Sequence, residues 1–449
     1  LLVSPHDAST IYFASNKVFK SSNKGDDWSV ISPDLSRQLD RNKLKVMGQV
    51  WSIDAVMKNM STTIYGNIVA MDESPLMKGL IYTGTDDGLI QISKNDGKDW
   101  MKIVSFDGIP ENTRVNMICA SMHNDGEAFA TFNNQRKGDF KPYLMKSTDF
   151  GKTWESIVGD LPERGTVYCI KQDHVDPNLL FVGTEFGAFF SSNGGVNWVE
   201  LSGLPTISIY DLDIQKREDA LVAASFGRGF YVIDNYAPLR ELNKINLKKE
   251  AHLFEIKESL QFIPSDPYGL RGTGFQGTNL WVAKNPKIGA NIFLHIRDDY
   301  KSLKNKRQSN EKKLEKEGSD VSYPSFSDLR KEKLDKKAMI ILVISDASGN
   351  EIRRLTKKAA KGIMKFNWNY RGASTSPINT KDVYDGFLVP PGVYYATSYI
   401  YSNGDVRLLS EKKAFKVKTL NNQTIKYDAD ELISFRKKLS SINIDFTTI

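Results

Sequence analysis

The stretch SKNDGKDW, Ser93 to Trp100, decides the fold because it recurs: SSNKGDDW (21–28), STDFGKTW (147–154) and SSNGGVNW (191–198) repeat its pattern. Ser comes first, Asn or Asp two residues on, and Gly and Trp follow at fixed spacing. Four fits to a four-position pattern are very improbable by chance, and such self-similarity is the mark of a repeat architecture. Each residue type suits a turn. Asn23, Asn95, Asp149 and Asn193 can accept hydrogen bonds from the backbone N–H groups that follow them. Gly25, Gly97, Gly151 and Gly195 permit a positive φ. Trp28, Trp100, Trp154 and Trp198 can bury a large ring between neighbouring sheets and offer its N–H to a partner. These roles are structural and require no substrate.

Outward from the boxes lie strand patterns. LIYTGTDDGLIQIS (80–93), LLFVGTEFGAFFS (179–191) and ALVAASFGRGFYVID (220–234) each hold two apolar runs joined by a glycine turn. VNMICASMH (115–123) and VYCIKQDHV (167–175) supply a preceding strand, and a further apolar run follows each Trp. Four antiparallel strands repeating every ~45–70 residues read as a β-propeller blade. The fifth unit, ending near Asp234, has the glycine turn but no box. The expectation is an all-β chain: a partial β-propeller of five four-stranded blades over 1–240, then a β-sandwich over 241–422. NIFLHI, MIILVISDASGNEIRRL, IMKFNWNY and PPGVYYATSYIY supply the sandwich strands, about seven in all, in an immunoglobulin-like arrangement. PPGVY enters an edge-tolerant strand, because proline donates nothing to a ladder. Residues 423–449 read as a helical tail in which Asp428 caps, with Glu431 three residues on.

Composition bounds the function. No apolar run reaches the ~18 residues of a membrane-spanning helix. The net charge of +7 is concentrated: residues 300–337 hold 12 Lys or Arg against 7 Asp or Glu. That segment is read as a solvated insert within the sandwich, as a flap or as a contact to another subunit, and not as a nucleic-acid surface. Cys119 and Cys169 sit in apolar runs and are expected to be buried free thiols. The five histidines have no metal-ligand spacing, so neither a metal site nor a cofactor is expected. The start, LLVSPHDASTIYFAS, reads as the interior of a domain, so further N-terminal blades are expected to complete the ring.

The boxes match the Asp-box, or BNR, repeat. With SPHDASTIYFAS, DFKPYLMKSTDFGKTW and SFGRGFYVID, the chain resembles the bacterial sortilin-like propeller proteins abundant in Bacteroidota, often labelled glycosyl hydrolases. GIMKFNWNY and PPGVYYATSYIY resemble the β-sandwich module that follows that propeller. The resemblance implies an extracytoplasmic protein, at the cell surface or secreted, with a binding role. It does not bring a catalytic set. The Arg-Ile-Pro motif of box-containing sialidases is absent, and none of Asp86, Asp87, Glu185, Asp211 and Asp213 stands in an acid or base motif.

In a blade, the turn between the second and third strands and the connection to the next blade share the face opposite the boxes. That face is the expected binding face. Its candidates are Trp51 in the long connection after Ser36, Asp86 and Asp87, Arg136 and Lys137 in NNQRKGDFKPY, Glu185 and Phe186, and Arg228. For Trp51 and Phe186 the alternative is packing, and for Arg228 it is pairing with a neighbouring acid. Two functions stay open. One is a non-catalytic scaffold that binds a protein, peptide or glycan, and the other is a glycoside hydrolase with paired carboxylates.

Overall fold

Short apolar runs between Gly and Asn turns form hairpins, because a turn at positive φ returns the chain antiparallel. In this computed structural model, which describes residues 1–58, 65–243, 248–262, 285–374, 386–402, 404–420 and 428–447, such runs account for most of the regular structure. The chain divides into two units, Leu1–Asn243 and Lys244–Ile449.

The first unit is a β-propeller arc of five antiparallel sheets, each built from strands consecutive in the chain. The strand nearest the axis comes first in each: Leu2–Val3, Ile68–Glu73, Arg114–Ala120, Val167–Gln172 and Ile209–Gln215. The first four sheets have four strands. The fifth, whose sequence lacks a box, has three among the described residues. Each neighbouring pair of sheets shares a buried core. Tyr12, Leu35 and Ile81 lie between the first and second, and Tyr82, Val115 and Phe132 between the second and third. Phe129, Ile170 and Val182 lie between the third and fourth, and Phe181, Leu212 and Ala223 between the fourth and fifth. Burying each such side chain contributes roughly 1.5–3 kcal/mol. Among the described residues of the first unit, the two outermost sheets have a neighbouring sheet on one side only. Phe13 (50% exposed) and Val30 lie open on the first, and Phe230 (76%) and Val232 on the fifth.

The box turns share one hydrogen-bond scheme. Ser93 Oγ accepts the Gly97 N–H at 2.8 Å, and Asn95 Oδ1 accepts the Asp99 N–H at 2.9 Å. The same pair of bonds recurs from Ser21 and Asn23, Ser147 and Asp149, and Ser191 and Asn193. Gly97 has φ +88°, and a Cβ there would stand 2.5 Å from the Ile31 carbonyl oxygen of the preceding sheet. The turns at Gly97, Gly151 and Gly195 therefore both fold their own sheet and abut the previous one. The tryptophans follow that logic. Trp198 is 7% exposed and donates to Ile157 O at 3.0 Å, and Trp100 packs into the core of the first and second sheets. Trp28 has no preceding sheet among the described residues and is 44% exposed, which departs from the expected burial.

Histidines also tie sheet to sheet. His6 Nε2 lies 2.8 Å from Ser74 O, and His123 Nε2 lies 2.7 Å from Asp173 O. A carbonyl only accepts, so both rings carry a proton on Nε2. Asp173 receives Arg240 Nε at 2.7 Å and Tyr236 OH at 2.6 Å, and Arg240 also reaches Asp219. Burial alone would raise the Asp173 carboxyl, but Arg240 and Tyr236 outweigh it and hold it near 2. Cys119 and Cys169 are buried free thiols, and burial pushes Cys119 up to about 12.

In the second unit a three-stranded sheet (Ala251–Leu253, Ala290–Ile296, Gly362–Trp368) faces a five-stranded one. Ile292, Leu294, Phe366 and Trp368 of the first share one buried core with Leu342, Ile344, Tyr394 and Phe415 of the second. Strand Gly392–Ser402, read as edge-tolerant, is central and paired on both sides. Pro390 and Pro391 precede its first ladder pair and so leave its N–H groups intact. The charged insert forms α1 (Leu303–Lys316) and α2 (Phe326–Leu334), clasped by Arg307 to Glu332 at 2.7 Å. Helix α3 (Ala429–Thr447) starts with the Glu431 N–H on Asp428 Oδ1 at 3.2 Å. Phe435 and Leu439 of its apolar stripe are exposed. No described helix is long and apolar enough to cross a membrane.

Candidate functional site

The inner strands of all five sheets line one cavity of about 400 Å³. Because each inner strand enters from the connection that precedes it, its first residues lie at the same end as the second-to-third-strand turns. Box turns join third to fourth strands and lie at the other end. Most of the candidate residues named from the sequence surround that opening, and they divide into two groups.

The first group is committed internally. Asp87 is fully buried: its Oδ2 accepts the Arg37 N–H at 2.8 Å, and Thr85 donates to its Oδ1. Arg37 adds Nε to Asp87 O at 2.7 Å and Nη2 to Val104 O at 2.6 Å, fastening the long connection to the second sheet. Asp87 is therefore a buried anchor of the turn and not an exposed group of the face. Asp86 Oδ1 accepts the N–H groups of Gly66 and Asn67 at 2.9 and 2.8 Å. Lys137 Nζ donates to Glu111 O at 2.8 Å and Asn112 O at 3.2 Å. Asp213 pairs with Lys171 at 3.4 Å. Tyr143 is buried, its hydroxyl on Asp139 Oδ2 at 2.6 Å.

The second group is uncommitted. Arg136 and Arg228 are exposed, and neither has a hydrogen-bond or ion-pair partner among the described residues. The pairing of Arg228 with an acid is therefore not found. Phe186 is exposed in its turn. Glu185 is partly buried, and its Oε2 has no hydrogen-bond partner. Trp51 stands apart. With Leu44, Val46, Met47 and Val56 it lines an apolar cavity of about 670 Å³ inside the first connection, and its Nε1 donates to Val46 O at 2.9 Å.

The structure adds residues the sequence reading missed. Arg114, Tyr168 and Tyr210 begin the inner strands of the third, fourth and fifth sheets or stand second in them. Gln135 Nε2 donates to Tyr168 OH at 2.6 Å, and Tyr168 stacks on Tyr210 with centroids 4.2 Å apart at 16°. Tyr210 continues to Phe226 at 5.4 Å. The three rings form an aromatic shelf whose outer members, Tyr210 and Phe226, are exposed. Burial pushes the Tyr168 hydroxyl up to about 12, so it stays protonated and can donate. Arg114 is half-buried, with Nε shut from solvent and without an acceptor. Burial, and then the Arg136 charge beside it, lowers its pKa. The available signal was positional: in RVNMICA, VYCIKQ and IYDLDIQ a large polar or aromatic side chain interrupts the apolar run at the entering end.

Burial pushes Asp72 up to about 6, moderated by its bond from the Ala120 N–H at 2.8 Å. Among the described residues no group of three His, Cys, Asp or Glu could hold a metal ion.

No family model matches the chain, and no curated protein does. Solved structures do. A GH74 xyloglucanase from Xanthomonas campestris is 17% identical with TM-score 0.39, over 52% of this chain and 36% of its own. YCF48 from Cyanidioschyzon merolae is 20% identical with TM-score 0.30, over 38% of this chain and 53% of its own. The extracellular domain of a hybrid two-component system from B. thetaiotaomicron is 10% identical with TM-score 0.32, over 91% of this chain and 44% of its own. The chain thus spans about half or less of the length of each.

Proposed function

We propose that this chain is the binding part of a non-catalytic, extracytoplasmic scaffold protein of the sortilin-like Asp-box type. It takes a protein or peptide, or a glycan, on the opening face of its propeller, within a cell-surface or secreted assembly. One observation carries the reading. On that face Arg114, Arg136 and Arg228 have no hydrogen-bond or ion-pair partner among the described residues, and the stacked rings Tyr210 and Phe226 stand exposed. Asp87 is taken by the Arg37 N–H and the Thr85 hydroxyl, and Asp86 Oδ1 by two backbone N–H groups. A preformed face loses little conformational entropy on binding. Further blades would cover the apolar outer faces at Phe13 and Phe230 and close the ring. The second unit, with its two packed sheets, is the immunoglobulin-like module that docks the propeller in its assembly.

A glycoside hydrolase is the second reading, favoured by the raised Asp72 carboxyl. Such an enzyme needs a second carboxylate about 5–10 Å away in an open cleft. Asp72 instead has both oxygens on backbone N–H groups, Oδ2 accepting from Ala120 and Oδ1 from Glu73. The test is reducing-sugar release from xyloglucan and from sialylated oligosaccharides by the purified chain. No release is expected. Release that disappears in Asp72→Asn would establish the enzyme.

A further inference from the structure

We infer that the opening face holds a site for an acidic peptide segment. A carboxylate of the segment seats at Arg114 and Arg136, and an adjoining apolar or aromatic side chain lies on Tyr210 and Phe226. This deepens the binding reading and rests on it.

The cationic half of the site is built by one sheet. Arg114 opens the inner strand of the third sheet and is paired in register with Asn133, while Arg136 stands three residues further along in the turn that follows. Arg136 lies close enough for its charge to lower the Arg114 pKa, after burial, and no described acid joins either guanidinium by a hydrogen bond. A shielded guanidinium N–H without an acceptor is a costly arrangement that a carboxylate relieves. A planar carboxylate also matches the fork geometry of Arg. Asp86 is the nearby acid that attracts Arg114, but its Oδ1 is already occupied by two backbone N–H groups. Arg228, exposed and unpaired beyond the shelf, extends the positive field.

The apolar half adjoins it. Gln135, next to Arg136 in the chain, holds Tyr168 by its hydroxyl, so the cation and the shelf are set by the same turn. Tyr210 and Phe226 are 47% and 69% exposed, an unusual display for two rings in mutual contact. The ligand class follows from what the face has spare. Its amides are taken: Gln135 by Tyr168, Asn116 by Tyr168 O, and Asn134 by Asp139. A neutral glycan needs many free donors and acceptors. An acidic peptide needs a cation and an apolar surface, which the face has spare; the other group left over is the buried Glu185 Oε2.

The test is selection of short random peptides displayed on phage against the immobilised 449-residue chain. A synthetic copy of the most enriched peptide is then titrated by fluorescence anisotropy. Enriched peptides should place Asp or Glu beside Phe, Tyr, Trp or Leu. Binding should weaken roughly tenfold or more in Arg114→Ala and in Arg136→Glu, and with Asn or Gln in place of the peptide acids. It should weaken with salt and be unchanged in Lys98→Glu on the box face. Arg136 is exposed, so its variant keeps the fold intact if Arg114→Ala does not, and thermal unfolding checks both. Enriched peptides that lack acids, or that ignore both arginines, overturn the inference. If Phe226→Ser still abolishes their binding, the binding face itself survives. Capture of neutral glycans on an array, with no peptide enriched, overturns the inference and keeps the face. If neither is captured, both the inference and the binding reading fail.

Discussion

Replacing the four box tryptophans by Ala, one at a time, should produce a graded loss of stability set by what each ring touches. Trp198 is 7% exposed, bonds Ile157 O, and joins a core with Phe129 and Leu161. A buried tryptophan hides roughly 150–250 Å². At about 25 cal/mol/Å² that is ~4–6 kcal/mol as an upper bound, against ~3–5 kcal/mol for Trp→Ala in known cores. We expect about 4 kcal/mol, including ~1 for the lost N–H bond. Trp28 is 44% exposed, bonds only Gly25 O of its own turn, and meets Phe13 edge-on at 6.4 Å. Scaling the area term by its burial leaves about 2 kcal/mol. Trp100 and Trp154, half-buried, should fall between. For a unit of this size each kcal/mol moves Tm by ~2–4 °C, so Trp28→Ala and Trp198→Ala should differ by about 4–8 °C. Thermal unfolding by far-UV circular dichroism reads the series. If Trp28→Ala were as damaging as Trp198→Ala, the boxes would not be sheet-to-sheet packing devices.

Three further outcomes are expected. Asp173 sits near 2, below its ordinary 3.8, so it contributes stability above pH ~4 that is lost as pH falls toward 2. The contribution is about 2 kcal/mol, and Arg240→Met should flatten that acid limb in urea titrations while destabilising at neutral pH. Asp72 is raised to about 6, so its ionisation opposes folding and stability declines as pH rises from ~4 through 6. Asp72→Asn keeps an oxygen for the Ala120 N–H but turns its NH2 toward the Glu73 N–H, so the variant's Tm relative to the parent should be higher at pH 8 than at pH 4. Gly97→Ala meets both φ +88° and Ile31 O at 2.5 Å. It should cost at least ~2 kcal/mol, whereas an Ala at Gly108, where a Cβ meets nothing within 4 Å, should cost less by calorimetry.

The repeat was legible because local chemistry alone dictates it. Ser93, Asn95 and Gly97 close their turn by bonds within five residues, so the pattern survives in sequence wherever the turn is made. The glycine turns between second and third strands were legible for the same reason. The long-range commitments were not. Asp86 and Asp87 look alike in TGTDDGL, and only Arg37, reaching from the preceding connection, makes one of them a buried anchor. The aromatic shelf was hidden because Tyr168 and Tyr210 read as strand residues; that they stack depends on two sheets meeting at the axis. The same holds for His6 and His123, which look scattered in sequence but occupy matching sheet-to-sheet positions. The central placement of Gly392–Ser402 turned on where the ladder begins after Pro391, a register that composition does not encode.

The claim that matters most is that function sits at the opening face and the boxes are scaffold. Hydrogen–deuterium exchange of the chain with and without the enriched acidic peptide tests it directly. The account predicts new protection around Arg114–Val115, Gln135–Lys137, Tyr168, Tyr210 and Phe226, with the turns at 23–28, 95–100, 149–154 and 193–198 unchanged. Protection confined to those four turns would contradict it.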